Sequence, residues 1–155
     1  MMQRLLEKYR RLLRADSGAS MVEFAILAPV LILMLIGLIE VGRYTYFAIL
    51  AGNAARAGVQ YGAQSTTYAL DNTGMQNAAL QDAQNLSQWS ATATHFCTLN
   101  GASASCPAAG ATPPPGMLYY VQVKINGTFQ PMMAYPGIPK NVPIGSTATM
   151  RVIAQ

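Results

Sequence analysis

The residues able to do chemistry are few and widely spaced. Beyond Glu40 the chain has one histidine, His95, and two acids, Asp71 and Asp82. No glycine-rich phosphate loop occurs, and a serine or cysteine nucleophile would lack a base and a group to orient it. This pattern predicts no enzyme activity, no catalytic residue and no cofactor. Cys97 and Cys106, the two cysteines, lie among Gly, Ser and Ala residues. On the non-cytoplasmic side of a membrane they would form a disulfide that closes a small loop, contributing about 2–3 kcal/mol. A zinc site needs further ligands, and His95 alone is nearby, so no metal is expected and His95 reads as structural or exposed.

Glu23 asks most of the elements around it. It stands directly before Phe24–Ile39, a run with no charged residue, and an ionised carboxylate there is costly without a cation. On one reading it lies in the headgroup region, near the favourable N-terminal end of a helix dipole. Another begins at Asp16, Ser17, Gly18 and Ala19, a small, flexible junction. Were the chain cut after Gly18, the new amine of Ala19 would lie about one helical turn from Glu23, and the amine of a neighbouring chain could neutralise that carboxylate.

The apolar run spans about 24 Å as a helix, and Met21, Val22, Val41 and Gly42 bring it close to the hydrocarbon thickness of a bilayer. The chain has 155 residues, of which 52% are hydrophobic and 10% charged. That balance excludes disorder and fits one membrane helix joined to one modest polar domain. Arg4, Lys8, Arg10, Arg11 and Arg14 precede the helix, so the positive-inside bias keeps the N-terminus in the cytoplasm. The remainder is nearly neutral and has no basic stripe, a poor match for nucleic acid. A secretory signal would end in a cleavage site and a turn; here the helical pattern continues to Ala63, about 67 Å if unbroken, with Pro29 expected to loosen one turn.

Glu40 and Arg43 share a helical face near the outer membrane boundary. They read equally well as an intrahelical ion pair or as charges pairing with another helix to fix register. Ala54, Gly58 and Gly62 form a small-residue stripe at four-residue spacing, able to seat either the chain's own sheet or another subunit's helix.

Beyond Gln64 a second helix is predicted from about Gly74 to Ala93, started by a capping box of Thr73 and Gln76. Met75, Ala79, Ala83, Leu86, Trp89 and Ala93 form its apolar stripe, with Trp89 as a core anchor. Residues 107–116 are Pro-rich and predict an extended connector. Val121, Val123 and Ile125 alternate with polar residues in a strand from Leu118 to Asn126; Asn126-Gly127 then predicts a hairpin turn, with a short return strand from Thr128 to Gln130. Pro131 ends that strand, Pro136, Pro139 and Pro143 make a connection, and Thr147 to Val152 alternates as a last strand. The expected fold is α+β: a long N-terminal membrane-spanning helix continuing into a small head with a second helix and a three-stranded antiparallel sheet.

Gly18-Ala-Ser-Met-Val-Glu-Phe-Ala25, the apolar helix and Ile39-Glu-Val-Gly-Arg43 together closely resemble the TadE-like minor pilins, or pseudopilins, of tight-adherence (type IVc) pilus systems. The resemblance extends through Asn53-Ala-Ala-Arg-Ala-Gly58 to about Gly62, and loosely over residues 118–153 up to Ala148-Thr-Met-Arg151; the middle of the chain matches nothing. It implies a pilin-like fold and cleavage between Gly18 and Ala19 by a prepilin peptidase on the cytoplasmic side. The apolar helix would be retained in the inner membrane with a periplasmic head, and Glu23 would pair with an amine during assembly. The implied partners are that peptidase, other pilin subunits, the pilus assembly platform and inner-membrane lipids. The resulting division is a removed leader over 1–18, a spanning helix over 19–42, its outer continuation over 43–64 and the head over 65–155. The alternative is an unprocessed, membrane-anchored periplasmic binding module, which needs no cleavage at Gly18 and no role for Glu23.

Overall fold

From Ala19 onward the residues favour a helix almost without interruption: Ala and Leu are the commonest, and Pro29 is the one proline before the head. In the computed structural model, which describes residues 18–83, 88–108, 111–133 and 139–153, α1 (Ala19–Gly62) runs through Pro29 as one helix. The basic leader up to Ser17, Leu86 of the expected second helix, and Pro136 lie outside the described residues. The chain divides into two compact units, residues 1–41 and 42–155.

In the first unit, the described residues are Gly18 and the apolar part of α1. Large side chains around its whole circumference are exposed, among them Phe24, Leu31, Met34 and Leu38. A helix that is apolar all round needs a non-aqueous surrounding. By length and composition this one suffices to cross a membrane.

The second unit places two layers together. One comprises the rest of α1 with α2 (Thr66–Leu70) and α3 (Asn72–Asp82). The other is an antiparallel sheet in the order β2-β1-β3-β4, made of β1 (Ser90–Leu99), β2 (Ala102–Ala104), β3 (Met117–Phe129) and β4 (Val142–Arg151). Val121, Val123 and Ile125 on β3 are fully buried and belong to one core with Ala51, Ala54, Ala55 and Val59 of α1 and Met75 of α3. Full burial of a Val, Ile or Met side chain contributes about 1.5–3 kcal/mol. The small α1 residues contribute by proximity instead, because they let sheet and helix approach closely.

The second helix is shorter than its apolar spacing predicts. It ends at Asp82, and Met75, Ala79 and Ala83 of the expected stripe are buried, while Trp89 immediately precedes β1 and Ala93 lies on it. Gln88 takes a left-handed φ of 67°, and β1 begins two residues later. There, Ala91, Ala93, His95 and Cys97 alternate with Thr92, Thr94, Phe96 and Thr98, and the β-branched and aromatic members favour a pleated strand. The N-cap is Asp71, not Thr73: its carboxylate accepts from the Gly74 N–H at 2.8 Å.

Among the described residues the sheet also has four strands where three were expected. Cys97 and Cys106 do not share an open loop: Cys97 is on β1, and β1 pairs with β2 in the register Leu99↔Ala102. Asn100 and Gly101 form the connecting turn with φ of 52° and 85°, the positive pair that a two-residue type I′ hairpin requires. Asn126-Gly127, the other Asn-Gly pair, makes no turn. β3 runs straight through it, absorbing the expected return strand, and Thr128 pairs with Pro143 of β4. Glycine is needed at 127 because a Cβ there would strike the Trp89 ring. Pro143 thus falls inside β4, where an edge strand tolerates its missing donor.

Candidate functional site

The candidate residues fall in three places along the chain. At the start of α1, Gly18 and Ala19 are exposed, and nothing lies within 4 Å of where a Gly18 Cβ would project. Glu23, also exposed, follows Ala19 by about one turn, a rise of about 6 Å. The backbone around Gly18 is therefore unobstructed by the described residues of this chain, and the Glu23 carboxylate is open to a partner.

Around the end of the apolar run, Glu40 is 8% exposed and Arg43 half-buried, and both make interactions within the chain. The Arg43 guanidinium carbon lies 5.3 Å from the centroid of the Phe129 ring. Phe129, at the end of β3, also meets Tyr44 edge-on at 5.7 Å and Phe47 at 5.6 Å. Sequence reasoning missed this aromatic cluster. Its signal was the pairing of Tyr44 and Phe47 at helical spacing with Phe129, two residues before Pro131, which is informative once β3 is continuous.

Ala54, Gly58 and Gly62 face the chain's own head. Ala54 is fully buried; a Cβ on Gly58 would lie 2.9 Å from the Met75 carbonyl oxygen and 3.0 Å from both Val123 methyl groups. One on Gly62 would reach the Met75 Cγ at 3.0 Å and Val121 Cγ1 at 3.1 Å. Asp71, besides capping α3, accepts a hydrogen bond from the Tyr61 hydroxyl at 3.0 Å. That bond first, then desolvation and the carboxylate's charge, push the Tyr61 phenol above its ordinary value of 10. Cys97 and Cys106 form a disulfide with Cα atoms 5.2 Å apart. The His95 Nδ1 hydrogen-bonds Asn72 Oδ1 at 3.1 Å and so links β1 to the start of α3. Among the described residues, no three His, Cys, Asp or Glu side chains gather as a metal site would require.

Among the described residues one helix is long and apolar enough to cross a membrane, and the outer part of that same helix belongs to the core of the α+β head. The family model described as TadE-like protein matches residues 18–60, and over that segment, under half of its length, the chain is TadE-like. The match takes in Gly18, Ala19, Glu23, Glu40, Arg43, Ala54 and Gly58. The TadE-like family is a structural, non-enzymatic family of pilin-like proteins, and the likeness to it covers that segment alone. No curated protein and no solved structure gives a significant match.

Proposed function

We propose that the chain is a minor pilin, or pseudopilin, cut by a prepilin peptidase between Gly18 and Ala19 and acting in, or in the assembly of, a tight-adherence pilus. The observation that carries this reading is Glu23, exposed on α1 about one turn after Ala19 inside the TadE-like segment. The apolar part of α1 holds the subunit in the inner membrane, with the N-terminus cytoplasmic and the head periplasmic. Assembly exchanges lipid contacts for contacts with other pilin helices, and a Glu23–amine pair lowers the cost of removing that carboxylate from the headgroup region. Its partners are the peptidase, other subunits and the assembly platform; the disulfide suits an oxidising periplasm.

Intact mass of the protein purified from membranes of cells with and without the peptidase tests processing. Loss of residues 1–18 only when the peptidase is present supports the proposal. A full-length chain in both refutes cleavage and favours the anchored binding module. Glu23→Ala is expected to insert normally and to impair piliation; normal piliation would remove the charge-pairing role.

A further inference from the structure

Beside the Phe129 cluster, the head contains a cavity of about 270 Å³ to which the proposed function gives no role. Arg43, Gln88, Thr128 and Gln130 line it with a guanidinium, two primary amides and a hydroxyl, and Trp89, Phe47 and Phe129 supply its apolar wall. Among the described residues, no carboxylate lines it. The set is therefore rich in donors and suited to an anion that carries apolar groups with it. Arg43 stacks on Phe129, which pre-orients its planar donor fork, the geometry that recognises phosphate bidentately. It also interacts elsewhere in the chain, and five donors serve more than one acceptor. Gln88 lines the cavity from a left-handed backbone conformation that is unfavourable for a residue with a side chain.

The position along the chain identifies the source of the anion. Arg43 follows Ile39, the end of the uncharged run, by four positions, about 6 Å along α1. Tyr44 and Tyr46 beside it are both exposed, as in the aromatic belt at a membrane interface. We propose that the cavity binds the phosphodiester of a phospholipid headgroup from the leaflet facing the head, with Arg43 as its principal ligand and Gln88, Thr128 and Gln130 as supporting donors. This rests on the reading of α1 as a membrane anchor. A seated headgroup ties the head to that leaflet, so release of one lipid precedes extraction of the subunit.

Trp89 is the sole tryptophan and lines the cavity, which makes its emission a direct reporter. The full chain in a non-ionic detergent is titrated with dihexanoyl-phosphatidylglycerol, with dihexanoylglycerol and with inorganic phosphate. A saturable change is expected with the phospholipid, none with the diacylglycerol, and at least about tenfold weaker binding of inorganic phosphate. Arg43→Gln should weaken phospholipid binding about tenfold, the loss expected for one charge-assisted contact. Gln130→Leu, which keeps the Arg43–Phe129 contact, should weaken it by a smaller factor and provides the second reading if Arg43→Gln fails to fold. No saturable response to phospholipid, equal response to the diacylglycerol, or equal affinity for inorganic phosphate would each overturn the proposal. Flotation of the wild-type chain with liposomes tests the anchor separately: flotation without headgroup binding overturns the cavity proposal alone, and failure to float overturns the anchor itself.

Discussion

Adding one methyl group to α1 at two glycines about two turns apart should move stability in opposite directions. At Gly52 a Cβ would lie 3.8 Å from the Ser146 Oγ, an ordinary contact. Gly52→Ala therefore gains the helix-propensity difference, about 0.5–1 kcal/mol. At Gly58 the same atom meets a backbone carbonyl at 2.9 Å and two valine methyl groups at 3.0 Å. Neither the Met75 backbone nor fully buried Val123 has a flexible end that can swing aside. Overpacking of this kind costs about 1–3 kcal/mol, so after the propensity gain Gly58→Ala should lose about 1–2 kcal/mol. The two variants should differ by about 1.5–3 kcal/mol, or about 6–12 °C in Tm at roughly 4 °C per kcal/mol for a domain near the upper end of the small-domain range. Thermal unfolding of the full chain in detergent, followed by Trp89 emission, reads the head without signal from the apolar part of α1. Equal shifts in the same direction would refute the argument that Gly58 is required by the approach of α1 to β3 and α3.

Reduction of the Cys97–Cys106 disulfide, or the double change Cys97→Ala/Cys106→Ala, should lower the stability of the head by about 2–3 kcal/mol; denaturant unfolding with and without reductant measures it. The Tyr61 phenol has a folded pKa raised above its unfolded value of about 10, so its contribution is fully present below pH 10 and is lost as pH rises through the folded value. Unfolding measured from pH 8 to pH 11.5 should show this alkaline loss in the wild type, and Tyr61→Phe should reduce it.

Different parts of this architecture speak through the sequence with different clarity. α1 is legible because a long uncharged run passes directly into Ala and Gly residues without a terminator, and no competing structure uses such a pattern. The centre of β3 is legible because Val121, Val123 and Ile125 alternate with polar neighbours. β1 is not, because Ala91, Ala93 and Cys97 on its inward face are small. Ala93 falls near the face of Ala79 and Ala83, so a helical spacing continues by coincidence from α3 into β1, across a segment in which, among the described residues, Gln88 is left-handed. The two Asn-Gly pairs make the same point: identical dipeptides form a turn at 100–101 and pass through a strand at 126–127. Trp89, distant in sequence, occupies the space over Gly127 and decides between them. For the candidate site, Gly18, Ala19 and Glu23 were visible because their relation is local. The cavity was not, since Arg43, Trp89 and Phe129 are brought together only by the fold.

Among the described residues the sheet order leaves two open margins, and neither invites further growth. β2 contributes a three-residue edge, next to the disulfide that fixes the adjoining chain. β4 is longer, but Pro143 near its start supplies no N–H, and exposed Arg151 at its end carries a charge. On the proposed membrane anchoring, neighbouring subunits would meet edge to edge far more often than free domains do, and strand pairing between heads would be close to irreversible. By blunting both margins, the head discourages that route and leaves association to contacts that can still be undone.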